Sequence, residues 1–294
     1  MTLILDAYYT IGRMHRFCQD YVCQGVNPIP HLIMADGCSA TPDSDLGARL
    51  LALNARHLLP RFVSAANATE SLARHWRLGR RIVRRAARQA CEMGLDDSVL
   101  DATLLIAWCD DATIHIHLYG DGCIVVRRAD GGVATIQVEY AENTPYYLSY
   151  LLHPQRELLY QEAIGDPATA QRVHYQSDAG ETTRREHFDA PTVFSFDLAT
   201  FPVVAVATDG LDSFVDAKTG QRLNLLAVAR EMLDFRHLDG AFIQRRLRET
   251  LIEHAQRQVF CCDDIGLGAF IALDEEAATN SLPIAAAALV VKES

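Results

Sequence analysis

The segment VVAVATDGL at residues 203–211 joins a run of small apolar residues to Thr-Asp-Gly. The apolar run predicts a buried strand, and Asp209 stands where that strand ends. The stretch LIMADG at residues 32–37 has the same design and ends in Asp36 and Gly37. A carboxylate at a strand end is held rigidly, and the glycine lets the backbone turn so that its carbonyl can approach an ion. Each Asp-Gly pair taken singly is also compatible with an ordinary turn.

Two further acidic residues stand at the edges of predicted strands. Asp20 follows Phe-Cys-Gln, and Asp263 follows the unusual run VFCC and opens the last predicted strand. With Asp36 and Asp209 they make four carboxylates at strand edges. If the four converge, they form a strongly negative, oxygen-rich pocket that needs hard divalent cations to be stable. Mg²⁺ or Mn²⁺ fits such ligands, whereas zinc would favour His or Cys.

Hydrophobic periodicity divides the chain into strand-like and helical segments. Strand-like apolar runs cover residues 31–35, 103–108, 113–119, 123–128, 133–139, 203–208 and 265–273. Helical spacing covers residues 45–59, 71–93, 222–235 and 240–258. Hairpins grouped between helical pairs predict an α+β fold with helices packed outside antiparallel sheets, rather than a doubly wound parallel sheet. The chain carries no glycine-rich phosphate loop of the nucleotide-binding kinds.

Composition and linkers favour one domain. The chain has 294 residues, of which 49% are hydrophobic and 22% charged, so a substantial core is expected. No Pro/Gly/Ser-rich linker divides it, and we therefore predict a single domain over residues 1–294. Residues 142–202 are polar and mixed, and we interpret them as a flap or insertion next to the last core strands.

Charge limits the partners that the protein can bind. The formal net charge of −11 argues against a nucleic-acid or anionic-membrane binder, which needs a basic face. Seven arginines between Arg74 and Arg88 are the local exception. We interpret them as the solvated face of an amphipathic helix. The alternative is a docking face for an acidic or phosphorylated partner.

Cysteine spacing and terminal segments predict a soluble, cytoplasmic protein. The eight cysteines form no CxxC pair, and we expect reduced, mostly buried thiols. Asp6 interrupts the first apolar run and no basic segment precedes it, so a signal peptide is not expected. The apolar stretch Leu282–Val291 is shorter than the roughly 20 residues that cross a bilayer.

Six short motifs, in order along nearly the whole chain, resemble the type 2C metal-dependent protein Ser/Thr phosphatases. The Thr208-Asp209-Gly210-Leu211 element and the terminal Asp263-Asp264 element are the most specific of them. The matching stretches are residues 18–20, 34–37, 101–105, 119–122, 207–211 and 263–265. The resemblance implies a four-layer αββα sandwich in which helix pairs flank a central antiparallel β-sandwich. It also implies hydrolysis of phosphoserine and phosphothreonine in proteins.

The resemblance also implies roles for the acidic residues. Asp36 would bridge two Mn²⁺ or Mg²⁺ ions, assisted by the Gly37 carbonyl, and Asp209 and Asp263 would complete one site. Asp20 would act through a metal-bound water, which makes Asp20 and Asp36 the catalytic carboxylates. A hydroxide held between the metals would attack phosphorus in line.

Several residues depart from the family pattern. Cys38-Ser39-Ala40 replaces the usual His and paired glycines, so the acid that protonates the leaving oxygen would be either absent or supplied by another group. His15 stands where a phosphate-binding arginine is common, and Arg13 or Arg16 could substitute for it. We therefore treat Arg13, His15 and Arg16 together as the candidates for phosphate binding.

The site of a third metal ion has no clear counterpart. Asp97 and Asp101 are the nearest acidic candidates for it, and Asp101 itself replaces a glycine of the family motif.

Three hypotheses follow from these patterns. The first is an active phosphatase whose partner is a phosphorylated protein, either a Ser/Thr kinase or its target. The second is a catalytically weak, phosphatase-like module that binds a phosphoprotein or regulatory partner. The third is an unrelated α+β domain whose acidic residues are turn and cap groups, which predicts no stabilisation by Mn²⁺.

Overall fold

The computed structural model describes residues 2–64 and 71–273. Within these ranges the chain forms strands β1 (Thr2–Thr10), β2 (Asp20–Gly25), β3 (His31–Asp36), β4 (Leu104–Asp110), β5 (Thr113–Tyr119), β6 (Gly122–Arg127), β7 (Val133–Tyr140), β8 (Gln171–Ser177), β9 (Gly180–Glu186), β10 (Thr192–Asp197), β11 (Val203–Ala207), β12 (Phe214–Asp216), β13 (Val259–Cys261) and β14 (Ile265–Leu273). The helices are α1 (Ser44–Ser64), α2 (Ser71–Glu92), α3 (Pro154–Ala163), α4 (Leu225–Met232) and α5 (Phe242–Gln256).

The strands form two large antiparallel sheets and one small one. The larger sheet has the order β1-β14-β11-β6-β7-β8-β9, and the second has the order β10-β5-β4-β3-β2. Strands β12 and β13 pair separately. The predicted α+β class with antiparallel sheets is confirmed.

Alternating side chains of the central strands enter different apolar clusters. In β11, Val204 and Val206 belong to the cluster between the two large sheets. Val203 belongs to the cluster that also contains residues of α4 and α5. In β3, Met34 enters the cluster between the sheets and Ile33 enters the one shared with α1 and α2. Because both faces of these strands are buried, their sequences are continuous apolar runs.

Residues 142–202, predicted as a flap or insertion, contribute to both large sheets. They contain α3, β8, β9 and β10. β8 pairs with β7 in the larger sheet, and β10 pairs with β5 at the edge of the second. Tyr146, Tyr160 and Phe188 from this segment lie in the apolar cluster between the sheets. The segment therefore carries part of the core.

The predictions about membrane segments and thiols can be compared with the described ranges. Over residues 2–64 and 71–273, no helix is long and apolar enough to cross a membrane. The stretch Leu282–Val291 lies outside the described residues. All eight cysteines are free thiols.

Candidate active site

Strand pairing brings Asp20 and Asp36 side by side. Asp20 begins β2 and Asp36 ends β3, and the antiparallel register makes them direct partners across the two strands. Their carboxyl groups lie close together, and each affects the acidity of the other. Asp20 is only 4% exposed. Two acidic side chains thus meet at one end of the five-stranded sheet.

Asp209 joins this pair from the other sheet. It opens the short 3₁₀ helix Asp209–Asp212, which directly follows Thr208 at the end of β11. The carboxyl group of Asp209 lies beside that of Asp36. Since β11 belongs to the larger sheet and β3 to the second, the three carboxyl groups lie where the ends of the two sheets meet.

Thr208 connects the two sheets at this point. Its hydroxyl donates to Asp20 Oδ2 at 2.8 Å and accepts from the Gly266 amide at 2.8 Å. The Thr208 amide donates to the Gly266 carbonyl at 3.0 Å. These bonds hold Asp20 in one orientation relative to β11 and β14.

The three carboxyl groups have strongly perturbed acidities. Burial, followed by the charge of Asp20 and that of Asp209, raises the pKa of Asp36 well above its usual range. Burial also raises the pKa of Asp20. Burial and the neighbouring charge of Asp263 raise the pKa of Asp209 to about 6. Like charges in a desolvated pocket cannot all ionise unless a cation compensates them.

The oxygen atoms of this cluster fit a hard divalent cation. Asp20 Oδ1 and Asp209 Oδ1 are buried and have no hydrogen-bond partner within residues 2–64 and 71–273. An unsatisfied buried carboxylate oxygen is costly, and Mg²⁺ and Mn²⁺ prefer such oxygen ligands. Across the described ranges, no three Asp, Glu, His or Cys side chains stand as a ready-made metal cage. Asp20, Asp36 and Asp209 nevertheless lie close enough for each to change the acidity of its neighbours.

Asp263 lies at the rim of the cluster. Its side chain is 39% exposed, and Oδ1 lies 3.4 Å from His15 Nε2. The charge of Asp263 raises the pKa of both Asp209 and Asp36, so it faces the same pocket. Gly37 lies behind the pocket, where a Cβ atom would come within 2.7 Å of the Ser44 carbonyl oxygen. A glycine is therefore required at this position by the close approach of α1.

Asp264, next to Asp263, is buried and binds backbone amides. Its carboxylate is 1% exposed and accepts from the Gly12 amide at 2.8 Å and the Gln19 amide at 2.6 Å. These two bonds bracket the loop that leads into Asp20. Asp264 thus positions the loop, a role that the sequence does not predict.

The three candidates for phosphate binding have different surroundings. The guanidinium of Arg13 stacks 4.0 Å above the ring of Phe260. His15 lies between Asp263 and Asp264, with Nδ1 3.1 Å from Asp264 Oδ2. Burial opposes its charge, but the two carboxylates outweigh burial and raise the pKa of His15. Arg16 is exposed and makes no polar contact with the part of the chain that the structure describes.

The structure adds Asp121 and Tyr147, which the sequence did not identify as site residues. Asp121 lies in the short connection between β5 and β6, which belong to different sheets. Burial and the charge of Asp209 raise its pKa, so its carboxyl group faces the acidic cluster. The Tyr147 hydroxyl lies near the Cys38 side chain, and burial raises the pKa of Tyr147.

The two candidates for a third metal ion have other partners. Asp101 accepts from Arg156 Nη2 at 2.7 and 2.8 Å and from Ser149 Oγ at 2.5 Å. Asp97 is hydrogen-bonded to His153 Nε2. Both aspartates therefore attach residues 142–202 to the core. The Arg156 pair gives a physical reason for a carboxylate at residue 101.

A sequence comparison with protein families matches residues 12–252 to the family described as protein phosphatase 2C. No significant match is found among curated proteins.

Three solved structures illustrate the fold similarity. A bacterial serine phosphatase is 12% identical, with a TM-score of 0.56 over 93% of this chain and 99% of the other. The Mycobacterium tuberculosis serine/threonine phosphatase PstP/Ppp is 16% identical, with a TM-score of 0.54 over 93% and 100% of the two chains. The catalytic domain of PstP in complex with two manganese ions is 18% identical, with a TM-score of 0.52 over 92% and 99%. At these identities the similarity concerns the fold.

Proposed function

Since this chain belongs to the protein phosphatase 2C family, we propose that it hydrolyses phosphoserine and phosphothreonine in proteins with two bound Mn²⁺ or Mg²⁺ ions. The observation that carries the proposal is the convergence of Asp20, Asp36 and Asp209 from two sheets, with buried oxygens that lack partners. The structure of PstP, which was determined with two manganese ions, supports the choice of metal.

The positions of the acidic residues indicate which groups would bind the ions. Asp36 lies between Asp20 and Asp209 and would contact both ions, while the Gly37 carbonyl would assist it. Asp209 and the rim residue Asp263 would complete one site. When bound, the ions supply Lewis acidity that activates water and neutralises charge on the phosphoryl group.

Asp20 would orient the attacking water. Its Oδ2 is held by the Thr208 hydroxyl at 2.8 Å, and its Oδ1 has no partner in the described part of the chain. An oxygen fixed in this way can accept a hydrogen bond from water without reorganisation of the protein.

The phosphate and the leaving oxygen need hydrogen-bond donors. Arg16 is the phosphate-binding candidate whose guanidinium has no partner within the described ranges. Tyr147 lies beside Cys38, where the family commonly has histidine. A phenol is protonated at neutral pH, so the Tyr147 hydroxyl can donate a hydrogen bond to the leaving oxygen.

A phosphoprotein-binding module with weak activity is the second candidate. Two observations favour it: Cys38 stands in place of the usual histidine, and His15 is engaged by Asp263 and Asp264. Tight binding of a phosphopeptide without turnover in excess Mn²⁺ would select this candidate.

The class of substrate protein and the cellular location of this chain are also proposals. The substrate would be a phosphorylated protein, such as a Ser/Thr kinase or its target, in the cytoplasm. The net charge of −11 supports a protein partner over nucleic acid or an anionic membrane.

Hydrolysis of a small aryl phosphate tests the proposal. Wild type and Asp36→Asn are compared in Mn²⁺, in Mg²⁺ and in chelator, with Asp130→Asn at an exposed turn as the matched control. We expect metal-dependent turnover that falls at least ~100-fold in Asp36→Asn and is unchanged in Asp130→Asn. Turnover that persists in chelator, or that survives Asp36→Asn, contradicts the proposal.

A further inference from the structure

A groove lined by arginines runs between α1 and α2, on the outer side of the second sheet. Its cavity has a volume of about 480 Å³. Five exposed arginines border it, and we call it the arginine groove. These are Arg61 of α1 and Arg77, Arg81, Arg84 and Arg88 of α2.

Helical spacing places the four α2 arginines on one face. They follow one another at intervals of four, three and four residues, so their side chains are neighbours on the helix surface. The opposite face packs into the core through Ile82 and Val83, which are fully buried. Like charges at these spacings destabilise an isolated helix. An anionic partner would remove that repulsion.

Among the residues that the structure describes, the groove arginines have no anionic partner. Residues 74–91 contain no Asp or Glu. None of the five exposed arginines forms an ion pair with an acidic side chain in residues 2–64 and 71–273. Arg85 Nε, in the groove wall, is buried without a hydrogen-bond partner. Arg85 therefore adds to the groove wall a further guanidinium without a carboxylate partner among the described residues.

The floor of the groove is apolar. Leu58, Phe62 and Leu78 line it below the guanidinium groups. Arg74 closes one end, where it stacks 4.2 Å above the Phe62 ring and donates to the Phe62 carbonyl. Apolar contact area beneath a cationic rim suits a peptide that carries both acidic and apolar side chains.

The groove has the length of a short peptide segment. Residues 77–88 of α2 span about 17 Å at the helical rise. An extended strand covers that distance with about five residues. Nucleic acid fits less well, because the net charge of −11 on the whole chain repels a long polyanion that extends beyond the groove.

The groove is remote from the acidic cluster. α1 begins at Ser44, whose hydroxyl donates to the Cys38 carbonyl at 2.9 Å. Arg61 lies 17 residues farther along α1, which is about 25 Å at the helical rise. A ligand bound in the groove therefore does not occupy the site of Asp20, Asp36 and Asp209.

We propose that the arginine groove binds an acidic, partly apolar segment of the protein substrate at a distance from its phosphorylated residue. This inference rests on the proposed phosphatase function for the identity of the partner. Docking of a remote segment raises the effective concentration of the phosphorylated residue at the active site. It therefore lowers KM for the protein substrate and leaves kcat unchanged.

The test measures binding without turnover. A fluorescent peptide of alternating glutamate and leucine is titrated with the full chain, and its anisotropy gives Kd. The groove variant carries Arg77→Gln, Arg81→Gln and Arg84→Gln. Loss of three exposed charge contacts should raise Kd by roughly tenfold or more. A peptide in which glutamine replaces every glutamate should bind the wild type at least as weakly as the glutamate peptide binds the groove variant.

A charge-matched control separates the groove from the overall charge. It carries Arg128→Gln, Arg185→Gln and Arg236→Gln, three exposed residues outside the groove. We expect wild-type binding of the glutamate peptide by this control. The proposal would be overturned if both triple variants bound the glutamate peptide equally weakly, or if the wild type bound the glutamine peptide as tightly as the glutamate peptide. It would also be overturned if short duplex DNA bound through the groove as tightly as the glutamate peptide.

Hydrolysis distinguishes this proposal from the phosphatase function. The groove variant should hydrolyse a small aryl phosphate at the wild-type rate, and its KM for an acidic phosphopeptide should rise while kcat stays constant. Peptide binding by a wild type that hydrolyses no phosphate would retain the groove and reject the phosphatase. Normal hydrolysis without peptide binding would reject the groove alone.

Discussion

Replacement of Asp209 by asparagine should stabilise the metal-free protein at neutral pH. Burial and the charge of Asp263 raise the pKa of Asp209 to about 6 from a reference value of 3.8. A carboxyl group whose pKa is raised by folding stabilises the folded state only while it is protonated. That stabilisation is lost as the pH rises from the unfolded pKa through the folded one, between about pH 4 and pH 6.

The expected size follows from the two pKa values. A pKa difference of about two units corresponds to about 3 kcal/mol at 1.36 kcal/mol per unit. This is an upper bound for the change in the free energy of unfolding. Asparagine keeps the shape of the side chain and cannot ionise. In chelator at pH 7.5, Asp209→Asn should therefore unfold several degrees above wild type, and at pH 4 the two melting temperatures should converge.

Addition of Mn²⁺ should reverse this order. Wild type gains stability according to the logarithm of the metal concentration over its Kd, and the variant lacks one of the proposed ligands. The assay is thermal unfolding of both proteins, in chelator and in Mn²⁺, at pH 4 and pH 7.5. The reasoning would be refuted if the variant were less stable than wild type in chelator at pH 7.5. It would also be refuted if Mn²⁺ raised the melting temperature of the variant as much as that of wild type.

Three other substitutions test individual contacts. Asp264→Ala leaves the buried Gly12 and Gln19 amides without an acceptor and should lower the free energy of unfolding by ~2–5 kcal/mol, measured by urea denaturation. Arg156→Gln removes the pair with the buried Asp101 carboxylate and should cost about 2–4 kcal/mol in the same measurement. Arg16→Gln should raise KM for an aryl phosphate about tenfold with little change in urea denaturation, because its guanidinium has no intramolecular partner among the described residues.

Matched variants serve as controls for these three substitutions. Arg13→Gln changes a guanidinium that stacks on Phe260, and it should leave KM unchanged if Arg16 binds the phosphate. Asp130→Ala removes an exposed carboxylate and should change the free energy of unfolding by less than ~0.5 kcal/mol. Wild-type stability of Asp264→Ala or Arg156→Gln would contradict the contacts described above.

Local patterns predict the central strands well. The predicted strands 113–119 and 265–273 have the bounds of β5 and β14. Both are continuous apolar or alternating runs bounded by turn residues, so nothing outside the segment is needed to define them. The two Asp-Gly strand ends at Asp36 and Asp209 are local signals of the same kind.

Strand β1 is not predicted, because its pattern contains an acidic residue whose partners are distant in sequence. Asp6 interrupts the apolar run, yet its carboxylate accepts from the Ile243 amide at 2.7 Å at the start of α5. It also accepts from Gln24 Nε2 at 3.2 Å. A tertiary hydrogen bond of this kind overrides the local pattern and leaves no signal in the neighbouring residues.

The same limit applies to the site. Asp121 has the sequence context of a turn, and only the approach of Asp209 shows that its carboxyl group belongs to the acidic cluster. Tyr147 lies in a segment without clear periodicity, and its contact with Cys38 depends on how residues 142–202 join the core. Side chains that come together through the packing of two sheets cannot be found from spacing along the chain.

The most direct test of the central claim is a count of the Mn²⁺ ions bound per chain, by electron paramagnetic resonance, in wild type and Asp36→Asn. If Asp36 lies between two ions that are also held by Asp20, Asp209 and Asp263, wild type should bind two ions and Asp36→Asn should lose both at the same metal concentration. Wild type that binds no Mn²⁺, or an Asp36→Asn variant that still binds two ions, would contradict the account.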